Sequence, residues 1–162
     1  MNTFLSQTAE YALRAMMWIA GHPPGEPLLA RDLSEATQIP AQYLSKILRR
    51  LVLADLLLSR KGRGGGFTLA RPPGEISFRD VLLAVDAYPR EERCAFGWGM
   101  CDRSRPCPLH TSWSQMSEHF TLWAANATFA DARRVRAGRT TSRPRKAALR
   151  RPQAPRKRSR RR

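Results

Sequence analysis

The segment that follows Pro40 separates its apolar and polar side chains onto two faces of a helix. Its apolar residues have the i, i+3, i+4, i+7 spacing of a buried stripe: Leu44, Ile47, Leu48 and Leu51. The same spacing, displaced around the helix, joins a set of polar residues: Gln42, Ser45, Lys46 and Arg49. Pro40 suits the first turn because the first amides of a helix have no intrahelical partner. We therefore predict a helix with one packed face and one hydrogen-bonding face.

A shorter helical pattern over residues 28–37 and a turn at residues 38–40 come directly before this segment. Two helices joined in this way predict a helix-turn-helix, in which the second helix enters the major groove of DNA. Arginine and lysine suit guanine and glutamine suits adenine, so the polar face has the chemistry for base recognition. The alternative is an ordinary solvated helix face.

A basic, glycine-rich hairpin is predicted after this helix. Residues 56–59 and 67–70 have the character of short strands, and the intervening residues 60–66 carry three positive charges and four glycines. A phosphate-binding nucleotide loop is disfavoured, because no Gly-Lys-Ser/Thr ending and no helix start follow. The hairpin is therefore interpreted as the wing of a winged helix.

Three further helices complete a mainly α fold. Ser6 or Thr8 can cap the first, which ends at Gly21, and the capping box from Ser77 to Asp80 opens the fourth. The last helix, of about four turns, has an apolar stripe formed by Trp113, Met116, Phe120, Trp123 and Ala127. This stripe could pack on the chain's own core. The small domain leaves little core to cover it, and a dimerisation helix is favoured.

All three cysteines lie within fourteen residues, at Cys94, Cys101 and Cys107. Gaps of six and five residues are wider than the Cys-x2-4-Cys pairs of structural zinc sites and could wrap an iron-sulfur cluster. An odd number of thiols cannot all form disulfides within one chain. Zinc held by these cysteines and His110 is the alternative, and small buried cysteines that act as hydrophobes are another.

The charge of the chain divides it into two parts. Residues 1–132 contain 14 basic and 13 acidic residues, whereas residues 133–162 contain 15 basic residues and no acidic one. We expect the basic tail to be disordered alone and to contact nucleic-acid phosphates, unless it is a solvated extension with no dedicated role. The expected division is a DNA-binding domain at 1–88, a cysteine segment at 89–110, a dimerisation helix at 111–134 and a basic tail at 135–162.

Several function classes are disfavoured by what the sequence lacks. No apolar run approaches the roughly 18 residues of a membrane span, and the N-terminus lacks the basic start of a secretory signal. A cytoplasmic protein is expected. No carboxylate pair, nucleophile-base constellation or complete nucleotide loop points to an enzyme.

Several stretches together resemble the Rrf-type family of bacterial winged-helix transcriptional regulators, including its IscR/NsrR-like iron-sulfur members. The resemblance spans about residues 4–130 and is carried by residues 11–14, 43–48, 62–67, 75–77, 81–86 and 107–110, together with Trp113. Pro40 stands where the family usually has a serine or threonine cap. The basic tail is not part of the family pattern.

The resemblance implies a homodimer, joined by the long C-terminal helix, that binds a palindromic operator under the control of an iron-sulfur cluster. It implies that the three cysteines are ligands of a 2Fe-2S or 4Fe-4S cluster. The fourth ligand would be Glu10 of the partner subunit, as in nitric-oxide-sensing members, or His110. By position, DNA contacts are implied for Gln42, Ser45, Lys46, Lys61 and Arg63.

Three functions are therefore carried forward. The leading hypothesis is a transcriptional repressor whose operator affinity is set by a cluster that senses nitric oxide, iron or redox state. The second keeps DNA binding but replaces the cluster with zinc or thiol chemistry. The third is a nucleoid- or RNA-associated protein in which the basic tail is the active part.

Overall fold

The structure is a computed structural model and describes residues 5–88, 94, 99–100 and 104–130. These residues form helices joined to one antiparallel hairpin, in the order that the sequence predicts. The elements are α1 (Gln7–Ala20), α2 (Ala30–Thr37), α3 (Ala41–Leu53), β1 (Leu57–Arg60), β2 (Gly66–Leu69), a short 3-10 turn (Pro73–Glu75), α4 (Phe78–Ala84) and α5 (His110–Asn126).

The turn between α2 and α3 makes the helix-turn-helix. α2 ends at Thr37, and Gln38 takes a left-handed conformation with φ 58°. The hydroxyl of Ser34 donates to the Ile39 carbonyl at 2.7 Å and fastens the turn. Pro40 lies just before α3 and not in its first turn, because its ψ of 132° is extended. Its carbonyl accepts the first helical hydrogen bonds instead, so the predicted position of Pro40 is corrected by one residue.

The hairpin is held in place from both sides. β1 pairs with β2 from Leu57 opposite Leu69 to Arg60 opposite Gly66, so each strand is shifted by one residue from its predicted bounds. Leu28 adds a bridge on the other side of β2 through two backbone hydrogen bonds to Phe67, at 3.1 and 2.9 Å. A Cβ on Gly66 would lie 2.6 Å from the Leu28 carbonyl oxygen, which is why a glycine is required there.

Fully buried residues from the first four helices and the hairpin form the main core. The predicted capping box opens α4: the Ser77 hydroxyl accepts from the Asp80 amide at 3.1 Å, and the Asp80 carboxylate accepts from the Ser77 amide at 3.0 Å. The four residues of the predicted apolar stripe of α3, from Leu44 to Leu51, are all buried. Prominent members of the core are Met16, Leu33, Leu44, Leu48, Leu51, Leu57, Ile76, Val81 and Phe129.

Phe129 reaches this core from beyond the end of α5. The helix ends at Asn126, within the segment 111–134 that was expected to be a dimerisation helix; residues 131–134 lie outside the described residues. The chain then returns to the helices and turns of residues 1–88: the Ala127 carbonyl accepts from the Phe78 amide at 2.8 Å, and the Phe129 amide donates to the Pro73 carbonyl at 3.1 Å. The Phe129 side chain is fully buried. This short return stretch therefore pins the C-terminal end of α5.

Candidate nucleic-acid interface and cysteine segment

The exposed face of α3 presents the four polar residues that the sequence singled out. Gln42, Ser45, Lys46 and Arg49 are all exposed, opposite the buried leucine and isoleucine side chains. The Ser45 hydroxyl donates to the Ala41 carbonyl at 2.8 Å, so part of its hydrogen-bonding capacity is used within the helix. The glutamine, lysine and arginine side chains are longer and can reach base edges from this face.

The wing tip places positive charge on a tight glycine turn. Gly62 and Gly64 have φ values of 88° and 75°, a region in which other residues are strained, and the Gly65 amide donates to the Gly62 carbonyl at 3.0 Å. Lys61 and Arg63 are exposed on this turn. Because β1 packs against α3, the basic tip and the recognition helix belong to one rigid unit.

Glu10, the candidate cluster ligand from the first helix, is paired with a cation in its own helix. Its carboxylate accepts from the Arg14 guanidinium one turn later, and both side chains are about half-buried. Arg14 also donates to the Thr37 carbonyl at 3.3 Å, at the end of α2. Its guanidinium carbon lies 5.6 Å from the centre of the Tyr11 ring. Glu10 is thus connected through Arg14 to the helix-turn-helix.

Tyr11 extends this set of contacts to the recognition helix. Its ring meets the ring of Tyr43 edge to face, with the centroids 6.5 Å apart. Tyr43 lies on α3, next to Gln42. The side chains around Glu10 therefore touch both helices of the helix-turn-helix.

Two of the three predicted cysteine ligands lie among the described residues. Cys94 and Cys107 are free thiols of intermediate exposure. The Cys94 amide donates to the Gly99 carbonyl at 3.1 Å, and the Cys107 carbonyl accepts from the His110 amide at 2.9 Å, where α5 begins. Cys101 lies outside the described residues. Among the described residues no group of three or more candidate ligands is close enough to hold a metal ion, so the predicted ligand set stays a prediction.

The donor chemistry of these residues is compatible with the expected groups. Unpaired, partly exposed thiols are the ligands of iron-sulfur clusters, and thiols combined with an imidazole also suit zinc. A buried structural cysteine would be inert and shielded. Neither Cys94 nor Cys107 is in that state.

Arg50 was not singled out by sequence reasoning. It lies in the last turn of α3, and its guanidinium donates to the Val85 carbonyl at 2.9 Å and lies 3.2 Å from the Asp86 carboxylate. The only signal in the sequence was that Asp86 ends one of the stretches that carry the family resemblance.

The fold and these side chains can now be compared with known proteins. The Rrf2 family, described as an iron-dependent transcriptional regulator, matches residues 5–134. The chain belongs to the Rrf2 family. The regulator IscR of Cronobacter sakazakii is 32% identical over 127 residues, which are 78% of each chain. The IscR of Serratia proteamaculans is 33% identical over 127 residues, covering 78% of this chain and 77% of the relative.

Solved structures show the same fold at lower sequence identity. CymR, the global cysteine regulator of B. subtilis, has a TM-score of 0.69 at 16% identity and covers 83% of this chain and 98% of its own. The IscR of T. potens has a TM-score of 0.65 at 19% identity and covers 89% of this chain and 94% of its own. These likenesses confirm the predicted mainly α winged-helix fold.

The Rrf2 assignment confirms the coarse function expected from the sequence. The protein is a DNA-binding transcriptional regulator and not an enzyme, because its relatives are transcriptional regulators. In the part of the chain that the structure describes, no helix is long and apolar enough to cross a membrane. Most of the basic tail lies beyond residue 134, where the family match ends.

Proposed function

We propose that this Rrf2 protein is a cytoplasmic repressor whose operator affinity is controlled by an iron-sulfur cluster of the 2Fe-2S or 4Fe-4S type. The observation that carries the proposal is the position of the three cysteines: all lie between the DNA-binding domain and α5, inside the family match. Cys94 and Cys107 are unpaired and partly exposed. The cluster would sense nitric oxide, iron supply or redox state.

We propose that the regulator reads DNA with two surfaces of different kind. Gln42, Lys46 and Arg49 on α3 would contact base edges, with Ser45 beside them, because the helix presents them on its exposed face. Lys61 and Arg63 on the wing would contact the backbone or the minor groove, since a glycine turn brings the main chain close to another backbone. The base contacts select the sequence and the wing contacts add affinity.

The binding unit would be a homodimer on a palindromic operator. α5 packs mainly against α4, and it leaves Met116 and Trp123 of its apolar stripe exposed. A second copy of the same helix is the partner that this apolar surface suits, because a twofold interface pairs a surface with itself. Two recognition helices placed by such a dimer read two half-sites.

The fourth cluster ligand would be Glu10 of the partner subunit, with His110 as the alternative. His110 is three residues beyond Cys107 and donates its amide to the Cys107 carbonyl, so it can join the same loop. Glu10 is farther in sequence, but Arg14 connects its carboxylate to the end of α2. A ligand exchange at Glu10 would therefore change a contact of the helix-turn-helix, which is the coupling that a sensor requires.

The test of the cluster is the colour of anaerobically purified protein. Thiolate-ligated iron absorbs visible light, so the wild type should be brown, and Cys94→Ala, Cys101→Ala and Cys107→Ala should each bleach it. Met100→Leu, which changes an exposed side chain of the same segment, is the matched control and should keep the colour. A colourless wild type with one zinc per chain would replace the cluster proposal with the zinc-responsive regulator, for which the cysteines and His110 are suitable ligands.

The fourth ligand is tested by three further variants of the same preparation. Glu10→Gln should perturb the visible spectrum and its response to nitric oxide more than His110→Ala. Arg14→Met removes the ion pair but keeps the Glu10 carboxylate, so it should leave the cluster spectrum unchanged. If His110→Ala has the larger effect, the ligand is His110.

The basic-tail function remains a separate candidate. The tail has the charge for phosphate contacts with nucleic acid, and it lies outside the described residues. Sequence-selective operator binding by a protein that ends at residue 134 would exclude a nucleoid or RNA role as the main function.

A further inference from the structure

Arg50 joins the recognition helix to the point where the chain leaves the DNA-binding domain for its cysteines. It lies one turn beyond Lys46 on α3. Its guanidinium reaches across to the end of α4, where it donates to the Val85 carbonyl at 2.9 Å and lies 3.2 Å from the Asp86 carboxylate. The two C-terminal ends of α3 and α4 are thereby fastened to each other.

The end of α4 is a sharp stop. Val85 is the C-cap residue of α4, and Asp86 has a left-handed conformation with φ 55°. The Asp86 amide donates to the Leu83 carbonyl at 3.1 Å, and the Ala87 amide donates to the Leu82 carbonyl at 2.8 Å. Cys94 follows eight residues after Asp86. Asp86 is therefore the joint between a rigid helix and the cysteine segment.

The contact between Arg50 and Asp86 contributes little to the stability of the fold. The Arg50 side chain is 47% exposed and that of Asp86 is 82% exposed. Ion pairs in such positions contribute little to folding, because water and salt screen them. The position of this ion pair between α3 and α4 suits a role in control, since a small free-energy difference between two arrangements of a helix is enough to change DNA affinity.

We propose that Arg50 is a positioning residue that transmits the state of the cysteine segment to the recognition helix. This rests on the proposed control by a cluster. A change in the segment that shifts the Asp86 joint also changes the partners of the Arg50 guanidinium. Because Arg50 shares one short helix with Gln42, Lys46 and Arg49, the placement of these DNA-facing side chains changes with it.

The experiment compares operator affinity with and without the cluster. Protein from one anaerobic preparation is divided, half is stripped of iron with a chelator, and the ratio of the two dissociation constants is measured for each variant. Arg50→Gln and Asp86→Asn should each bring the ratio closer to one by roughly threefold or more. The double variant should add little to either single change, because the two residues act through one contact.

Two features of the experiment distinguish transmission through Arg50 from the loss of a DNA contact or of any exposed ion pair. Asp86 is not on α3, so the effect of Asp86→Asn cannot come from a lost DNA contact of that helix, and asparagine tolerates the left-handed conformation. Arg31→Gln is the control, because it removes another exposed ion pair, that of Arg31 with Asp32 on α2. This control should leave the ratio unchanged.

Each other outcome has a distinct meaning. Equal changes in both dissociation constants, with an unchanged ratio, would overturn the inference and make Arg50 a purely structural or DNA-contacting residue. A wild-type ratio of one would overturn the proposed control by a cluster, and the inference with it. A wild-type ratio well above one with unchanged variants would overturn the inference alone.

Discussion

Two helices, α3 and α5, carry apolar residues at helical spacing but have very different surroundings. The stripe of α3 is completely covered, because α1, α2, β1 and α4 all pack around it. In α5 the one fully buried residue among those described is Ala124, whereas Met116 and Trp123 of its stripe are 39% and 45% exposed. Helical periodicity thus predicts that a stripe exists. It does not predict which surface covers it.

The difference follows from how each helix is placed in the chain. α3 lies in the middle of the DNA-binding domain, so its apolar face is surrounded by elements of the same chain. α5 contributes Phe120 and Ala124 to a small second cluster with Ala9, Leu82 and Tyr88, while Met116 and Trp123 remain exposed. If a second copy covers that surface, substitutions on α3 should affect folding and substitutions on α5 should affect association.

The largest effect is expected for Leu48→Ala on the buried face of α3. Leu48 is almost fully buried, so its truncation leaves a cavity and should lower the free energy of unfolding by about 2 to 5 kcal/mol. Leu53→Ala on the same helix is the control, because Leu53 is 75% exposed, and it should cost less than about 0.5 kcal/mol. Urea unfolding followed by circular dichroism measures both. Equal losses would mean that the two helix faces are not distinguished as described.

A smaller effect, and one of a different kind, is expected for Met116→Glu, in the exposed part of the α5 stripe. A charge in the centre of an apolar interface should weaken the proposed homodimer by about 2 kcal/mol or more, while the folded monomer keeps its helical spectrum. Sedimentation equilibrium over a range of concentrations measures the dimer constant. Leu53→Glu, which puts the same charge on an exposed leucine outside α5, should leave it unchanged. A Met116→Glu protein with an unaltered dimer constant would mean that the interface is not on the α5 stripe.

The smallest effect is expected on the polar face of α3. Lys46→Ala should cost about 1 to 3 kcal/mol of operator binding and relax the sequence preference, because a base contact is lost. Lys61→Ala on the wing should instead weaken all sequences to the same degree and reduce the salt dependence of binding. Binding to operator and scrambled duplexes over a salt series distinguishes the two. Equal losses on both duplexes for Lys46→Ala would contradict base recognition by this residue.

Much of the fold could be predicted because its signals are local. The helix-turn-helix, the glycine-rich wing and the capping box at Ser77 are each encoded within a few neighbouring residues, and the structure contains all three. The strand bounds and the position of Pro40 were wrong by one residue, since the hydrogen bonds that set them depend on partners elsewhere in the chain.

The features that sequence reasoning missed depend on distant contacts. Arg50 donates a hydrogen bond to the carbonyl of Val85, which is 35 residues away in sequence, and no local sequence pattern predicts that contact. Phe129 was not expected to belong to the core of the DNA-binding domain, because it lies within the segment 111–134 that was expected to be a dimerisation helix. The cluster ligands, the homodimer and the palindromic operator rest on the family resemblance and stay predictions.

The return of Phe129 to the core has a consequence for the order in which the protein is made. When residue 88 has left the ribosome, all residues of α1 to α4 and of the hairpin have been synthesised. Phe129, whose side chain is part of their core, has not. Domains fold as units during synthesis, and a contact of high sequence separation forms late. The core that includes Phe129 can therefore be completed only after all three cysteines have been translated. The thiols of the nascent chain are therefore synthesised before the last residue of the core that supports α3 and the hairpin.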